Sequence, residues 1–194
     1  MKKIAFLALI TITSCITIER VPSKKKDDGY SSLNENQKKM ITEFNSSDSK
    51  SSGRNIQWIN SENVKKISSK NNITWVIIWA SWCPHSINLI EKKMPIYSEK
   101  YKDLITPVLI AQNINLEYQM ALLDKEKYVG NLFILNSNSY GIDEEMKSVK
   151  FLSELNIDNK EISKSTPINL LLDNKGVVLK IKYGESVTEE FFNL

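Results

Sequence analysis

Residues 73–86 read ITWVIIWASWCPHS, and this stretch decides the fold. Its first half, Ile73–Trp79, consists of β-branched and aromatic residues, which is typical of a strand buried in the middle of a sheet. Pro84 stands where a helix can begin, because the N–H that proline lacks would be unpaired there anyway. The stretch therefore predicts a central strand followed by a helix, with Cys83 at the junction.

Strand and helix patterns alternate on both sides of this stretch. Helical patterns cover residues 61–67, 84–101, 116–128 and 144–155, and strand patterns cover residues 104–111 and 132–135. In the helix that begins at Pro84, apolar residues recur at helical spacing, and Pro95 is expected to kink it.

The C-terminal third predicts an antiparallel hairpin, in which a glycine supplies a positive φ to the turn. The segment comprises a strand at 168–172, the turn DNKG at 173–176, a strand at 177–183 and a closing helix at 187–192. Taken with the preceding elements, this predicts an α/β fold with a mixed central sheet flanked by helices.

Three segments, in this order, give the chain a resemblance to a known family. They are WASWCP at 79–84, Thr-Pro at 166–167 and DNKGVV at 173–178. The chain resembles the exported, membrane-tethered thiol-disulfide oxidoreductases of bacteria, whose fold is thioredoxin-like, and WASWCP is the most specific of the three strings. The resemblance covers roughly residues 56–194 and implies a thioredoxin-like domain over 55–194.

The resemblance implies that Cys83 is the catalytic nucleophile, because it occupies the place of the first cysteine in the family's Cys-x-x-Cys motif. It also makes His85 and Ser86 catalytic candidates. A protonated His85 would favour the thiolate, and the Ser86 hydroxyl would hydrogen-bond to it. A helix N-terminus favours an anion as well, so we expect a reactive thiol at an exposed edge of the sheet.

The resemblance assigns substrate binding to Trp82, Pro84, Thr166 and Pro167. In the family, the proline that corresponds to Pro167 has a cis peptide bond and faces the cysteine. The residue before it, here Thr166, offers backbone hydrogen bonds to a substrate strand.

The sequence departs from the family pattern at three positions. Ser86 replaces the second, resolving cysteine, so the motif is monothiol. Ile77 stands where thioredoxins often carry a buried acid, and Pro95 falls twelve residues after Cys83 instead of eight. The last difference is about one helical turn.

A single thiol limits the chemistry that we expect. Attack on a disulfide gives a mixed disulfide, which a dithiol enzyme clears with its second cysteine. Here a substrate thiol, a small thiol or a partner reductase has to clear it, which predicts a monothiol reductase or isomerase. The alternative is a redox-inactive binding module that keeps the fold. A peroxidase is disfavoured, because no Pro-x-x-x-Thr-x-x-Cys string precedes Cys83.

The N-terminus predicts export and a lipid anchor. Residues 1–15 combine a short basic start, an apolar run and the string ITSC, which resembles a bacterial lipobox ending at Cys15. An uncleaved signal anchor and a simple secretory signal are the alternatives. We therefore expect a periplasm-facing protein of the bacterial cell envelope, anchored to a membrane through Cys15.

The segment 16–54 is polar and rich in Ser, Asn and Lys, which predicts a flexible tether with a helix within residues 33–44. The lysines at 24–26 and the following Asp27 and Asp28 are interpreted as a solvated linker. The acidic pairs at 144–145 and 189–190 are interpreted as solvated helix faces.

Composition excludes several function classes. The chain has one histidine and two cysteines, so a Cys/His zinc site within the mature chain is excluded, and we predict no metal and no cofactor. The net charge is only +3 before the signal is removed, which argues against a nucleic-acid partner. The expected partners are envelope proteins that contain disulfides or thiols.

Overall fold

A mixed sheet of seven strands runs through the residues that the computed structural model describes, which are 27–46, 54–158 and 166–194. The strands are β1 (Ile41–Thr42), β2 (Ile56–Ile59), β3 (Ile73–Trp79), β4 (Ile105–Ala111), β5 (Leu132–Leu135), β6 (Ile168–Asp173) and β7 (Val178–Tyr183). Their order across the sheet is β1-β2-β5-β4-β3-β6-β7.

Eight α-helices lie in the described ranges. They are α1 (Glu35–Met40), α2 (Ser61–Ser68), α3 (Pro84–Asn88), α4 (Met94–Lys100), α5 (Leu116–Lys125), α6 (Ser137–Tyr140), α7 (Glu144–Glu154) and α8 (Glu189–Phe192). None of the described helices is both long and apolar enough to cross a membrane.

The sheet is parallel on one side of β3 and antiparallel on the other. Strands β1, β2, β5, β4 and β3 pair in parallel, whereas β6 is antiparallel to both β3 and β7. Strand β3 is therefore paired on both edges, and all its residues are buried. Its side chains alternate between two cores, with Trp75 and Ile77 in one and Val76 and Ile78 in the other.

The predicted α/β fold with a mixed central sheet flanked by helices is confirmed. The predicted hairpin is present as β6 and β7, and Gly176 in its turn has φ 75°. Helix α6 has no counterpart in the sequence prediction. The helix expected within residues 33–44 is shorter, because the chain leaves α1 at Met40 and continues as the edge strand β1.

The helical segment 84–100 contains a π-helical turn at Leu89–Lys93, between α3 and α4. At the end of this turn the N–H of Met94 donates to the carbonyl of Leu89, five residues back. Pro95 follows, and its ring would clash with the carbonyl four residues earlier in a regular α-helix. A wider turn before a proline relieves that clash, and it lies where the sequence predicts an irregularity.

Residues 27–46, here called the strap, pack on the domain. Ile41 of β1 pairs with Ile56 at the sheet edge, and the ring of Tyr30 meets Trp58 edge to face, with centroids 5.4 Å apart. The prediction of a flexible tether over 16–54 therefore does not hold for the strap. The predicted signal at 1–15 with Cys15, the rest of the predicted linker at 16–26, and residues 47–53 lie outside the described residues.

A buried ion pair fixes the strap. Lys147 Nζ lies 2.5 Å from Asp28 Oδ2, and both side chains are fully buried. The hydroxyl of Ser137 donates to the same carboxylate oxygen at 2.7 Å. Burial lowers the pKa of Lys147, while the hydrogen bond to Asp28 acts in the opposite direction. Removing one partner of such a pair leaves the other charge buried alone, which costs about 3–5 kcal/mol.

The interpretation of Asp28 as a solvated linker residue is therefore wrong. Its backbone is held as well, because its N–H donates to Ile142 O at 2.8 Å and its carbonyl accepts from Ile114 N at 2.5 Å. The partner cation lies 119 residues further along the chain, so nothing in the local sequence indicates the pairing.

Candidate functional site

Cys83 lies at the end of β3, as the N-cap residue of α3. Its carbonyl accepts from the N–H of Ile87 at 3.1 Å, which closes the first helical turn. Its thiol donates to the backbone carbonyl oxygen of Thr166 at 3.2 Å. The Thr166–Pro167 peptide bond is cis, as the resemblance implies, and the loop that contains it faces the sulfur.

The sulfur is covered more than the family motif suggests. Cys83 is 6% exposed, although the resemblance places it at an exposed edge. The physical reason is the loop at Thr166, whose carbonyl oxygen lies against the thiol.

His85 does not bond to Cys83. Its side chain is 66% exposed, and its Nδ1 lies 3.0 Å from Oε1 of Glu185, in the loop after β7. Within the described residues, no charged side chain is hydrogen-bonded to Cys83. In place of the expected contact with the thiolate, His85 makes a contact with Glu185 that joins the helix to this loop.

Glu185 joins the helix to the C-terminal loop through three side chains. Its carboxylate accepts from Asn88 Nδ2 at 2.5 Å as well as from His85, and its backbone carbonyl accepts from Lys93 Nζ at 2.6 Å. Two hydrogen bonds hold the pKa of the Glu185 carboxyl below its usual value. The bond from Asn88 has the larger effect, and the bond from His85 has the smaller one.

Ser86 is fully buried, and its hydroxyl oxygen accepts from the N–H of Ala80 at 3.3 Å. The expected hydrogen bond between this hydroxyl and Cys83 is not formed. Ser86 instead joins the first turn of α3 to the loop that leaves β3. Cys83 is the only cysteine in the described residues, so they hold no second sulfur that could resolve a mixed disulfide.

Trp82, the residue before Cys83, is half-exposed, and its indole N–H donates to Oε1 of Glu144 at 2.6 Å. Glu144 begins α7 and is only 3% exposed, so its interpretation as part of a solvated face is wrong. Glu144 is buried because the N-terminal end of α7 packs against the site. Pro84, the other predicted neighbour of Cys83, occupies the first position of α3.

Thr166 is joined to the same helix. Its hydroxyl donates to Oε1 of Gln112 at 3.3 Å, and the hydroxyl of Ser148 in α7 donates to that oxygen at 3.1 Å. Gln112 and Ser148 are both buried. One side of α7 therefore positions Trp82 and Thr166, the two residues that flank the sulfur.

The sequence analysis missed Glu144, Lys147, Ser148 and Gln112. The sequence did contain a signal for Glu144 and Ser148, because they share a helical face with the apolar Phe151 and Leu155. Polar residues on an apolar helix face indicate buried hydrogen bonds.

A cavity of about 360 Å³ lies beside Trp82. Its lining consists of Trp82, Glu144, residues 113–117 and six residues of the strap, among them Asp27 and Leu33. The strap therefore borders a cavity that reaches Trp82, the residue before Cys83.

The described ranges contain no cluster of three or more His, Cys, Asp or Glu side chains that could hold a metal ion.

Comparisons with known proteins found similar folds but no family. No family model matches the chain, and no curated protein matches it. Among solved structures, StoA from Bacillus subtilis is 18% identical, with 62% of this chain and 79% of that chain covered and a TM-score of 0.43. A thiol-disulfide oxidoreductase from Bacteroides fragilis is 20% identical, with 62% and 79% covered and a TM-score of 0.44.

A further similar structure is a thiol:disulfide interchange protein of the thioredoxin family from Chlorobium tepidum. It is 17% identical, with 66% of this chain and 79% of that chain covered and a TM-score of 0.44. These descriptions belong to the other proteins.

Proposed function

We propose that this chain is an exported thioredoxin-fold protein that acts on disulfides or thiols of envelope proteins through Cys83 alone, as a monothiol reductase or isomerase. The observation that carries the proposal is the Cys83 sulfur at a helix N-terminus, 3.2 Å from the carbonyl oxygen of Thr166. The proposed substrate-binding residues are the sequence neighbours of Cys83, Trp82 and Pro84, and the residues of the facing loop, Thr166 and Pro167.

The proposed reaction has two thiol-disulfide exchanges. The Cys83 thiolate attacks one sulfur of a substrate disulfide, forming a mixed disulfide, and the other substrate sulfur leaves as a thiolate that takes up a proton. A second thiolate then attacks the mixed disulfide and releases Cys83. If that thiolate belongs to the substrate, the disulfide is rearranged. If it belongs to a small thiol or a partner reductase, this attack leaves a disulfide between the substrate and the donor. A second thiol of the donor then reduces that disulfide, so the substrate ends with two thiols and the donor leaves as a disulfide.

The proposal includes a lipid on Cys15 that holds the domain at the periplasmic side of the envelope. The lipobox-like string ITSC at residues 12–15 supports it. Replacing Cys15 with serine is expected to release the protein from the membrane fraction.

Trapping from cells tests the function. Ser86 cannot resolve a mixed disulfide, so complexes joined through Cys83 are expected to persist and to appear on non-reducing gels without further mutation. The matched control is Cys83→Ser, which should remove every complex. If the native chain forms no complex that reduction dissolves, the redox function is excluded.

A second candidate is a redox-inactive binding module. The 6% exposure of Cys83 and the buried hydroxyl of Ser86 favour it, because both restrict exchange at the sulfur. Under this alternative, Cys83→Ser leaves the affinity for a partner protein unchanged, whereas the redox function requires that substrate turnover is lost.

A further inference from the structure

We propose that the Cys83 site serves disulfides that are held close to the membrane surface, because the strap brings the membrane-anchored end of the chain out of the domain beside the site. This inference rests on the proposed redox function and on the proposed lipid at Cys15.

The exit point of the chain lies next to the nucleophile. Asp27, the first described residue, forms an isolated β-bridge with Asp143. Glu144, which follows Asp143 in the chain, accepts a hydrogen bond from the indole N–H of Trp82. Trp82 in turn directly precedes Cys83. Asp27 and Trp82 also line the same cavity. The chain between the lipid and the domain therefore joins the domain at the face that carries the thiol.

The strap cannot swing freely from this point. Asp28 is held by the buried ion pair with Lys147 and by two backbone hydrogen bonds, to Ile142 and from Ile114. Further along, β1 is paired with β2. Every residue from Asp27 to the sheet therefore moves with the domain.

The docked strap shortens the reach of the site. A fully extended chain spans at most 3.3–3.6 Å per residue, so the twelve steps from Cys15 to Asp27 span about 40 Å at most. A free tether as far as residue 54 would span about 130 Å. Residues 24–26, all lysine, directly precede the exit point, and lysines attract anionic headgroups towards the chain.

The test uses the full lipidated chain in phosphatidylcholine vesicles that also hold a rigid coiled-coil rod. A rod of about 70 residues is about 105 Å long, and it carries one disulfide either at its base or at its tip. The measured quantity is the rate at which Cys83 forms a mixed disulfide with each rod. We expect the disulfide at the base to react at least about tenfold faster than the disulfide at the tip, because the tip lies beyond the reach of the native linker.

Two insertions of about 60 Gly and Ser residues provide matched variants. An insertion between Pro22 and Ser23 lies before the exit point, and it should lower the base-to-tip ratio at least about tenfold. The same insertion between Ser49 and Lys50 lies after the docked strap and should leave the ratio unchanged.

The proposal is overturned if both insertions lower the ratio equally, if the native chain reacts equally with base and tip, or if mass measurement finds no lipid on Cys15. Failure of the redox function itself is recognised separately. In that case the protein without lipid also forms no mixed disulfide with a free disulfide peptide in solution.

Discussion

The indole N–H of Trp82 donates to the carboxylate of Glu144 at 2.6 Å, which joins the residue before Cys83 to the first turn of α7. The same helix holds the strap through Lys147 and the Thr166 loop through Ser148 and Gln112. A helix without any contact to the sulfur thus sets the positions of the groups around it.

Glu144→Ala is expected to release the Trp82 indole and to lower the rate at which Cys83 reacts with a disulfide peptide. Hydrogen bonds to charged groups are worth about 1.5–3 kcal/mol, so a comparable loss of stability should accompany the change. Glu144 is the direct partner of the Trp82 indole, whereas Trp58, Trp75 and Trp79 are buried in the core, so the difference between the variant and native emission spectra is expected to come mainly from Trp82. Glu144→Gln keeps an acceptor and should retain most of the native spectrum, and the exposed Glu145→Ala serves as the control. An unchanged spectrum in Glu144→Ala would contradict the role of this hydrogen bond.

Asp28→Asn is expected to destabilise the protein by about 3–5 kcal/mol, because Lys147 stays buried without its counter-charge. Urea denaturation measures the loss. The double variant Asp28→Leu, Lys147→Met should recover much of it, since no charge is then buried. The exposed pair of Lys125 and Glu91 is the control, and breaking it should cost at most about 1 kcal/mol. Equal losses from the two pairs would contradict the burial argument.

A chain that begins at residue 27 is expected to fold with a cooperative unfolding transition, whereas one that begins at residue 55 should be less stable by several kcal/mol. The shorter chain lacks Asp28 and β1, so Lys147 is unpaired and the edge of β2 is exposed. Thermal unfolding followed by circular dichroism compares the two. Equal midpoints would show that the strap contributes nothing to the domain.

Ser86→Cys is expected to give the site a resolving sulfur and to shorten the life of mixed disulfides at Cys83. The two positions are three residues apart at the start of α3, as in the family's dithiol motif. The measurement is the decay of a preformed Cys83–peptide complex in the absence of added thiol. Ser98→Cys, further along the segment 84–100, is the control and should leave the decay slow. If both variants decay alike, resolution does not come from position 86.

Glu185 is expected to make stability depend on acid pH. The hydrogen bonds from Asn88 and His85 hold its pKa in the folded protein below the unfolded value of about 4.3. Its contribution is therefore complete above that value and disappears as the pH falls through the folded pKa. Urea midpoints of the native protein and Glu185→Gln should differ at pH 6 and converge towards pH 3. The exposed Glu190→Gln is the control, and a difference that persists at pH 3 would contradict the prediction.

The fold could be predicted because its signals are local. The apolar run of β3, the proline after Cys83 and the hairpin turn at 173–176 each show their structure within a few neighbouring residues. The surroundings of Cys83 could not be predicted in the same way. His85 lies two residues from Cys83 in sequence, yet its partner Glu185 comes from the far end of the chain.

The strap was missed for a related reason. Its composition is that of a polar tether, and only one carboxylate in it, Asp28, enters the core. That carboxylate is stabilised by Lys147 and Ser137, which are themselves polar and distant in sequence. The composition of a segment does not reveal single contacts of this kind. The composition of the strap therefore predicts a solvated chain, although the one buried carboxylate of Asp28 holds the strap on the domain.

The strap also has a consequence for proteolysis. A protease that cuts the chain within residues 47–53 breaks the covalent connection between the strap and the rest of the domain. The two fragments are still joined by β1 against β2 and by Asp28 on Lys147, and they can separate only by leaving an ammonium group inside the protein without its anion. After a single cut there, the fold therefore opposes the separation of the strap from the domain.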